Sequence, residues 1–544
     1  MGLKSMHRHS RGLARRFLGA AAATALLAGA GQALAADPAP SGGDDTAALR
    51  AQVAQLSQLV QSLSQRDQQQ ISALSAQVAS LQARLEAQQA AQTAVPRAAQ
   101  NPAGQGAPLP AQEVTQNPQS AVPRIVQNST HRFALESADG RYSIGLFGLL
   151  QFDSGAYLDF RPGSPLAGPQ ALSNGVNARR ARIGVAGTAA GDWNYAFQYD
   201  AGNSSDQTPH GIQTAQVIYS GLSGAAFEIG YSNTYFTLDE STASADQLFL
   251  ERASPSNIAT NFNAGDFRSN AGFRFFGDRY WLGAYVTGPA SGDSHTTTGE
   301  RLGSFQRVAF QALKGDDYTV HVGTAVDELL RAPNSGYDTP NTLSLSDQPE
   351  LRIDPTTLLS TGTLGTAANP VTRGYVFNVE TAANFRNFFW QGEYYHYQID
   401  RAGLANNDFN GWYGELSWTL TGEVHRYNPQ AGSYLRVVPA HAFSLKDGEW
   451  GAWEIAARYS YINLDSNFIT GHSLSSQPDA VEGGAQHGYT LGLNWYPNDI
   501  VKLMLDYDHV DFQKYLATTV TGAPLGAPIG ARFDAVSLRV QVAY

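Results

Sequence analysis

From about residue 131 to its last residue, the chain alternates apolar and polar side chains with a period of two. Trp193, Tyr195, Phe197 and Tyr199 face one way, and Asn194, Ala196 and Gln198 the other. The same pattern runs through Ala225, Phe227, Ile229 and Tyr231, through Trp453, Ile455, Ala457, Tyr459 and Tyr461, and through Val501, Leu503, Leu505 and Tyr507. A period of two places successive side chains on opposite faces of a β-strand. About sixteen such segments can be counted between 141 and 544.

The connections between them also alternate. AAGD (189–192), GLSG (221–224), GD (277–278), KGDD (314–317) and YPND (496–499) are short turns. Long loops lie near 161–176, 237–268, 289–303, 328–373, 465–485 and 513–530. An even strand count, short turns on one side, long loops on the other and aromatics at the ends of an apolar face predict an antiparallel transmembrane β-barrel of 16 strands. One stretch does not fit: 421–450 falls where a short turn belongs and is about thirty residues long. The barrel also accounts for the C-terminus. SLRVQVAY (537–544) would be an open edge in a soluble sheet, but in a barrel it pairs with the first strand.

Composition agrees with a membrane wall. Charged residues make up only 15% of the chain, against about 25% in soluble domains. With no cysteine, disulfides and thiol chemistry are excluded, and the net charge of −11 argues against a nucleic-acid partner. Residues 1–35 are read as a signal peptide: Lys4, Arg8, Arg11, Arg15 and Arg16 precede an apolar run from Phe17 to Ala30, with Ala33 and Ala35 at a cleavage site. Residues 36–93 repeat Leu49, Val53, Leu56, Val60 and Leu63, then Ile71, Leu74, Val78, Leu81 and Leu85, at coiled-coil spacing. Residues 94–130 have Pro- and Gln-rich linker composition, and 131–544 form the barrel. No HExxH, GxSxG or Gly-rich phosphate loop stands in the context such chemistry needs, so neither enzyme activity, a metal nor a cofactor is expected.

In a channel, the residues that matter are those whose charge sets the field in the lumen. In RRARIG, Ile183 and Val185 belong to the lipid row, which puts Arg180 and Arg182 on the lumen side and Arg179 near the rim. Alternation places Arg274, Arg458, Lys502 and Arg539 inside as well, opposed by Glu228, Glu393, Glu415, Glu454 and Asp506. These are either a transverse field or structural ion pairs. The third long loop, 237–268, has an apolar centre (Leu248, Phe249 and Leu250) that favours folding inward. Asp239, Glu240, Glu251, Arg252 and Arg268 are its constriction candidates.

NARRARIGVAG (177–187), GWYGELSWTLTGE (411–423), GAWEIAARYSYINL (451–464) and LGLNWYPND (491–499) resemble the phosphate-selective porin O/P family, as does the order coiled coil, linker, barrel. The resemblance implies a trimeric barrel in the bacterial outer membrane, surrounded by lipid and passing small hydrophilic solutes, with the coiled coil in the periplasm. Family members that select phosphate are similar in pairing lumen arginines with lysines, whereas this chain holds only Lys4, Lys314, Lys446, Lys502 and Lys514. The expectation is therefore weak anion preference with at most modest phosphate binding. The terminal Tyr544 resembles the signal read by the barrel assembly machinery. A second reading makes the barrel an anchor and the coiled coil a tether to peptidoglycan.

Overall fold

The computed structural model describes residues 124–126, 133–162, 171–202, 211–290, 300–334, 340–348, 350–519 and 523–544. The signal peptide, the coiled coil and most of the linker lie outside the described residues. Sixteen strands build the wall: β1 (Ser143–Tyr157), β2 (Gly175–Ala189), β3 (Trp193–Asp200), β4 (Gly211–Tyr219), β5 (Ala225–Asn233), β6 (Phe267–Phe276), β7 (Tyr280–Thr287), β8 (Leu302–Lys314), β9 (Tyr318–Arg331), β10 (Val371–Phe385), β11 (Phe388–Arg401), β12 (Asn407–Thr419), β13 (Ala452–Ser466), β14 (Val481–Tyr496), β15 (Val501–Gln513) and β16 (Ala531–Ala543). Each pairs antiparallel with the next. The ring closes where β16 pairs with β1, from Ala535 opposite Tyr157 to Ala543 opposite Leu149. Closure satisfies every edge, the condition a sheet must meet in hydrocarbon.

The alternation read from sequence is the alternation of the wall. On β16, Leu538, Val540 and Val542 are 43%, 40% and 36% exposed on the outer face, while Ser537, Arg539 and Gln541 are buried inside. At the seam, Gly148 and Tyr544 exchange both backbone hydrogen bonds. Below that point Ala134–Glu136 takes over the lane of β16, pairing with Ser143–Gly145 and on its other edge with Arg124–Val126. The chain read as linker therefore ends in a strand.

One end of the barrel carries the short turns 190–192, 220–224, 277–279, 315–317, 386–387 and 497–500. The opposite end carries the long loops, with one exception: β11 and β12 are joined by only 402–406. Three segments turn inward. The β5–β6 loop, 234–266, contains two short helices, α1 (Leu238–Ser241) and α2 (Ser254–Phe262). Pro255 stands in the first turn of α2, where its missing N–H costs nothing. The β9–β10 loop, 332–370, buries Leu343, Leu345, Leu351 and Leu359. The third is 420–451, the stretch whose length did not fit. It enters from the short-turn end as a small hairpin, Tyr427–Asn428 against Ser433–Tyr434. Phe236, Phe262, Tyr395, Tyr397, Phe409 and Leu343 belong to one buried apolar cluster, so the inward segments pack on the wall and narrow the lumen.

Candidate functional site

The basic part of the inner wall is built by β1, β2 and β16. Register on β1 and β2 slips between Gln151 opposite Arg180 and Asp153 opposite Asn177. One residue on β1, Phe152, thus faces two on β2, Ala178 and Arg179, a bulge that re-aims a side chain. Arg179 consequently turns inward beside Arg180. It is not at the rim as alternation predicted, but 3% exposed and forked onto Glu251 at 2.7 and 2.9 Å.

Most of the basic groups of this wall have a carboxylate. Arg539 grips Asp153 through two 2.7 Å bonds and reaches Glu251 at 2.9 Å. Arg182 holds Asp200 at 2.7 Å. Arg180 differs: its hydrogen bond goes to the neutral Gln151, at 2.7 Å, and its Nε is buried without a partner. The predicted opposition of acids and bases is therefore present largely as direct ion pairs. Such pairs hold their members firmly, because removing one partner strands a buried charge at a cost of about 3–5 kcal/mol.

The β5–β6 loop lies across this wall, with Leu248, Phe249 and Leu250 buried. Gln151 and Gln541 donate to the carbonyls of Ser244 and Ala245. Lys502 donates to Gln247 O at 2.6 Å, and Asp506 accepts from Leu250 N at 2.8 Å. Burial alone would raise the Glu251 carboxyl, but Arg179 and Arg539 hold it well below the usual carboxylate range. Glu240 goes the other way: burial, with Asp266 adding to it, pushes its carboxyl well above that range despite Arg252. Arg252 sits among Asp239, Glu240 and Asp266 at 3.0, 3.6 and 2.7 Å.

The remaining candidates are dispersed around the ring. Arg268 is not in the loop as predicted, because β6 begins one residue earlier; it pairs with Asp327 at 2.9 Å. Arg274 pairs with Glu228 at 3.0 Å. Arg458 pairs with Glu350 of the β9–β10 loop and lies over the Phe249 ring at 4.6 Å. Glu454 accepts from Ser417 and Tyr496 and meets His425 at 2.7 Å. Glu415 has no hydrogen-bond partner among the described residues and lines a small cavity of about 20 Å³ with Phe249, Phe389 and Arg458. The Tyr544 side chain is 45% exposed at the seam.

Arg307 is a hub that alternation could have found but was not singled out. It forks onto Glu380 and donates to Ser241 Oγ, Ala431 O and Gly432 O at 2.7–3.0 Å. One side chain thus ties wall, loop and hairpin together. Phe305, Arg307, Ala309 and Gln311 form the inward row of β8, which is legible from period two. Beside the hairpin a larger cavity of about 710 Å³ is lined by Arg182, Glu240, Asp246, Arg436, Leu435 and Tyr544, among others.

A closed antiparallel ring with a lipid-type outer face and a charged interior crossed by loops defines an outer-membrane porin. More narrowly, residues 165–544 match the profile described as Phosphate-selective porin O and P, and the chain belongs to that family. Porin O of Pseudomonas aeruginosa is 25% identical over 407 residues, covering 70% of this chain and 86% of that protein. An uncharacterized protein of Caulobacter vibrioides is 25% identical over 489 residues, 86% of each chain. Among solved structures, OmpT of Vibrio cholerae has a TM-score of 0.44 at 11% identity, over 74% of this chain and 98% of its own. An anion-selective porin from Comamonas acidovorans has 0.43 at 13%, over 74% and 100%.

Proposed function

We propose that this porin is a passive diffusion channel for small hydrophilic solutes, weakly anion-preferring and with at most modest affinity for phosphate. The observation that carries the reading is the pairing of the inner-wall arginines. A row of free guanidiniums would present forked donors to phosphate oxygens. Here Arg179, Arg182 and Arg539 are each occupied by a carboxylate, which leaves Arg180 as the wall arginine with no acidic partner. One uncompensated charge amid neutralised neighbours biases ions without binding them tightly. The same reading has the protein assembled as a homotrimer in outer-membrane lipid, delivered by the barrel assembly machinery through Tyr544, with its coiled coil in the periplasm.

The test is the reversal potential of single channels in a salt gradient, with and without phosphate. The unmodified channel is expected to favour anions slightly, more so at low salt, where charges farther apart than about 10 Å still act on one another. Arg180→Glu with Arg182→Glu should move the potential toward cations, and Arg180→Gln should do so by less. An unmoved potential in variants that still run as folded barrels removes these arginines from the ion path. A cation-selective unmodified channel shifts control to the acids of the β5–β6 loop.

A further inference from the structure

The outer face of β14–β16 changes character near the end that bears the long loops. On β16 the outward row reads Val542, Val540, Leu538 and Val536, then Asp534 and Arg532. On β15 its partners are Val501, Leu503, Leu505 and Tyr507, then His509 and Asp511. Hydrocarbon gives way to charge within two residues on both strands, marking where acyl chains end and headgroups begin. At that height a cavity of about 350 Å³ opens, lined by Arg161, Lys514 and Arg532, with Asp511 as the acid in its lining. Arg161 stands in register beside Arg532, which in turn faces Asp511.

These bases are differently engaged. Arg161 bonds Asp159 at 2.6 Å yet keeps a side chain that is 62% exposed, and Lys514 is 3.7 Å from Glu482. Arg532 makes no ion pair or side-chain hydrogen bond among the described residues, so its fork of donors is open. On the lipid side of the pocket stand Tyr507 and Tyr489, 41% and 50% exposed. His509, 6.1 Å from the Tyr489 ring, is fixed by a 2.6 Å bond to Asp534. Aromatic rings below and guanidiniums above match an amphiphile that carries sugars and phosphate over acyl chains.

We propose that this pocket binds the phosphate-bearing headgroup of an outer-leaflet glycolipid, with Arg532 as the principal donor and Arg161 and Lys514 completing the charge. A lipid is favoured over free phosphate because Arg532 and Asp511 belong to the membrane-facing row, not to the lumen. The proposal is independent of what the channel conducts.

Full-length protein in detergent would be titrated by native mass spectrometry with diphosphoryl lipid A, with the same lipid dephosphorylated, and with inorganic phosphate. The unmodified protein is expected to prefer the phosphorylated lipid. Arg532→Glu combined with Arg161→Ala should weaken that binding about tenfold or more, since each lost charge-assisted bond is worth roughly that factor. Both sites are exposed, so heat-modifiability and conductance should stay unchanged. Equal binding of dephosphorylated lipid, or wild-type binding by the double variant, overturns the proposal. Displacement of the lipid by equimolar inorganic phosphate also overturns it, leaving a small-anion site.

Discussion

The β5–β6 loop and the 420–451 segment enter the same barrel from opposite ends and are held by different physics. The loop is fastened by ionised groups: Glu251 between Arg179 and Arg539, Lys502 on Gln247, and Asp506 on Leu250. The hairpin tip is fastened through its backbone carbonyls and hydroxyls, with Arg307 as its charged donor and without an ion pair. Arg307 and Trp281 donate to its carbonyls, Tyr434 bonds Thr319 at 2.9 Å, and Ser433 donates to Ser241 O at 3.0 Å. Its contacts to wall and loop carboxylates lie on the stem, at His425–Glu454 and Arg436–Asp246. A charge clamp holds until one member is lost and then fails as a whole. A set of neutral bonds weakens in steps of about 1 kcal/mol.

This contrast can be attacked from its strongest contact downward. Glu251→Gln should release the loop most, by up to about 3–5 kcal/mol, because it takes the forked carboxylate from buried Arg179 and one of the two carboxylates from Arg539. Protease cleavage or hydrogen exchange within 244–252 would register the release, and the loss of one lumen carboxylate should strengthen anion preference. Gly432→Ala comes next. Gly432 has φ +63°, and an added Cβ would lie 3.2 Å from the Trp281 ring and 3.4 Å from Arg307. A cost of about 1–3 kcal/mol confined to the hairpin is expected. Tyr434→Phe removes one neutral hydrogen bond, and its effect should stop near 1 kcal/mol. If it loosens the hairpin as much as Glu251→Gln loosens the loop, the distinction collapses.

Acid should have the smallest effect. Glu251 has a depressed folded-state pKa, so its stabilisation is present above the unfolded value of about 4.3 and is lost only as pH falls through the lower folded value. The Glu251 contribution to loop protection should therefore stay level from neutral pH down to about 5. Loss of protection between 7 and 5 would show that another group governs the clamp.

How far each segment was legible from sequence follows from the same physics. The strands could be read because period two is local, and all sixteen lie where alternation put them. The loop's inward fold was signalled by Leu248–Phe249–Leu250, an apolar centre with nowhere else to go. Arg179 was misplaced because a bulge depends on the partner strand, and no property of RRARIG alone reveals it. Which charges pair was likewise hidden. Glu251 and Arg539 are 288 residues apart, and only closure makes them neighbours. The hairpin gave no comparable signal: its anchors are backbone carbonyls, which every sequence possesses.

The Glu251 clamp also has a temporal meaning. Arg179 comes from the second strand of the wall and Arg539 from the last, 72 and 288 residues from the glutamate they share. Those two arginines are brought together when β16 meets β1, the most non-local event in the chain and so the slowest kind of contact to form. Until then Glu251 lacks the Arg539 share of its counter-charge, and the desolvation of the loop is compensated only in part. Capture of the loop therefore marks the completion of the ring: an unfinished barrel leaves its loop unseated, and a barrel with a seated loop is already shut.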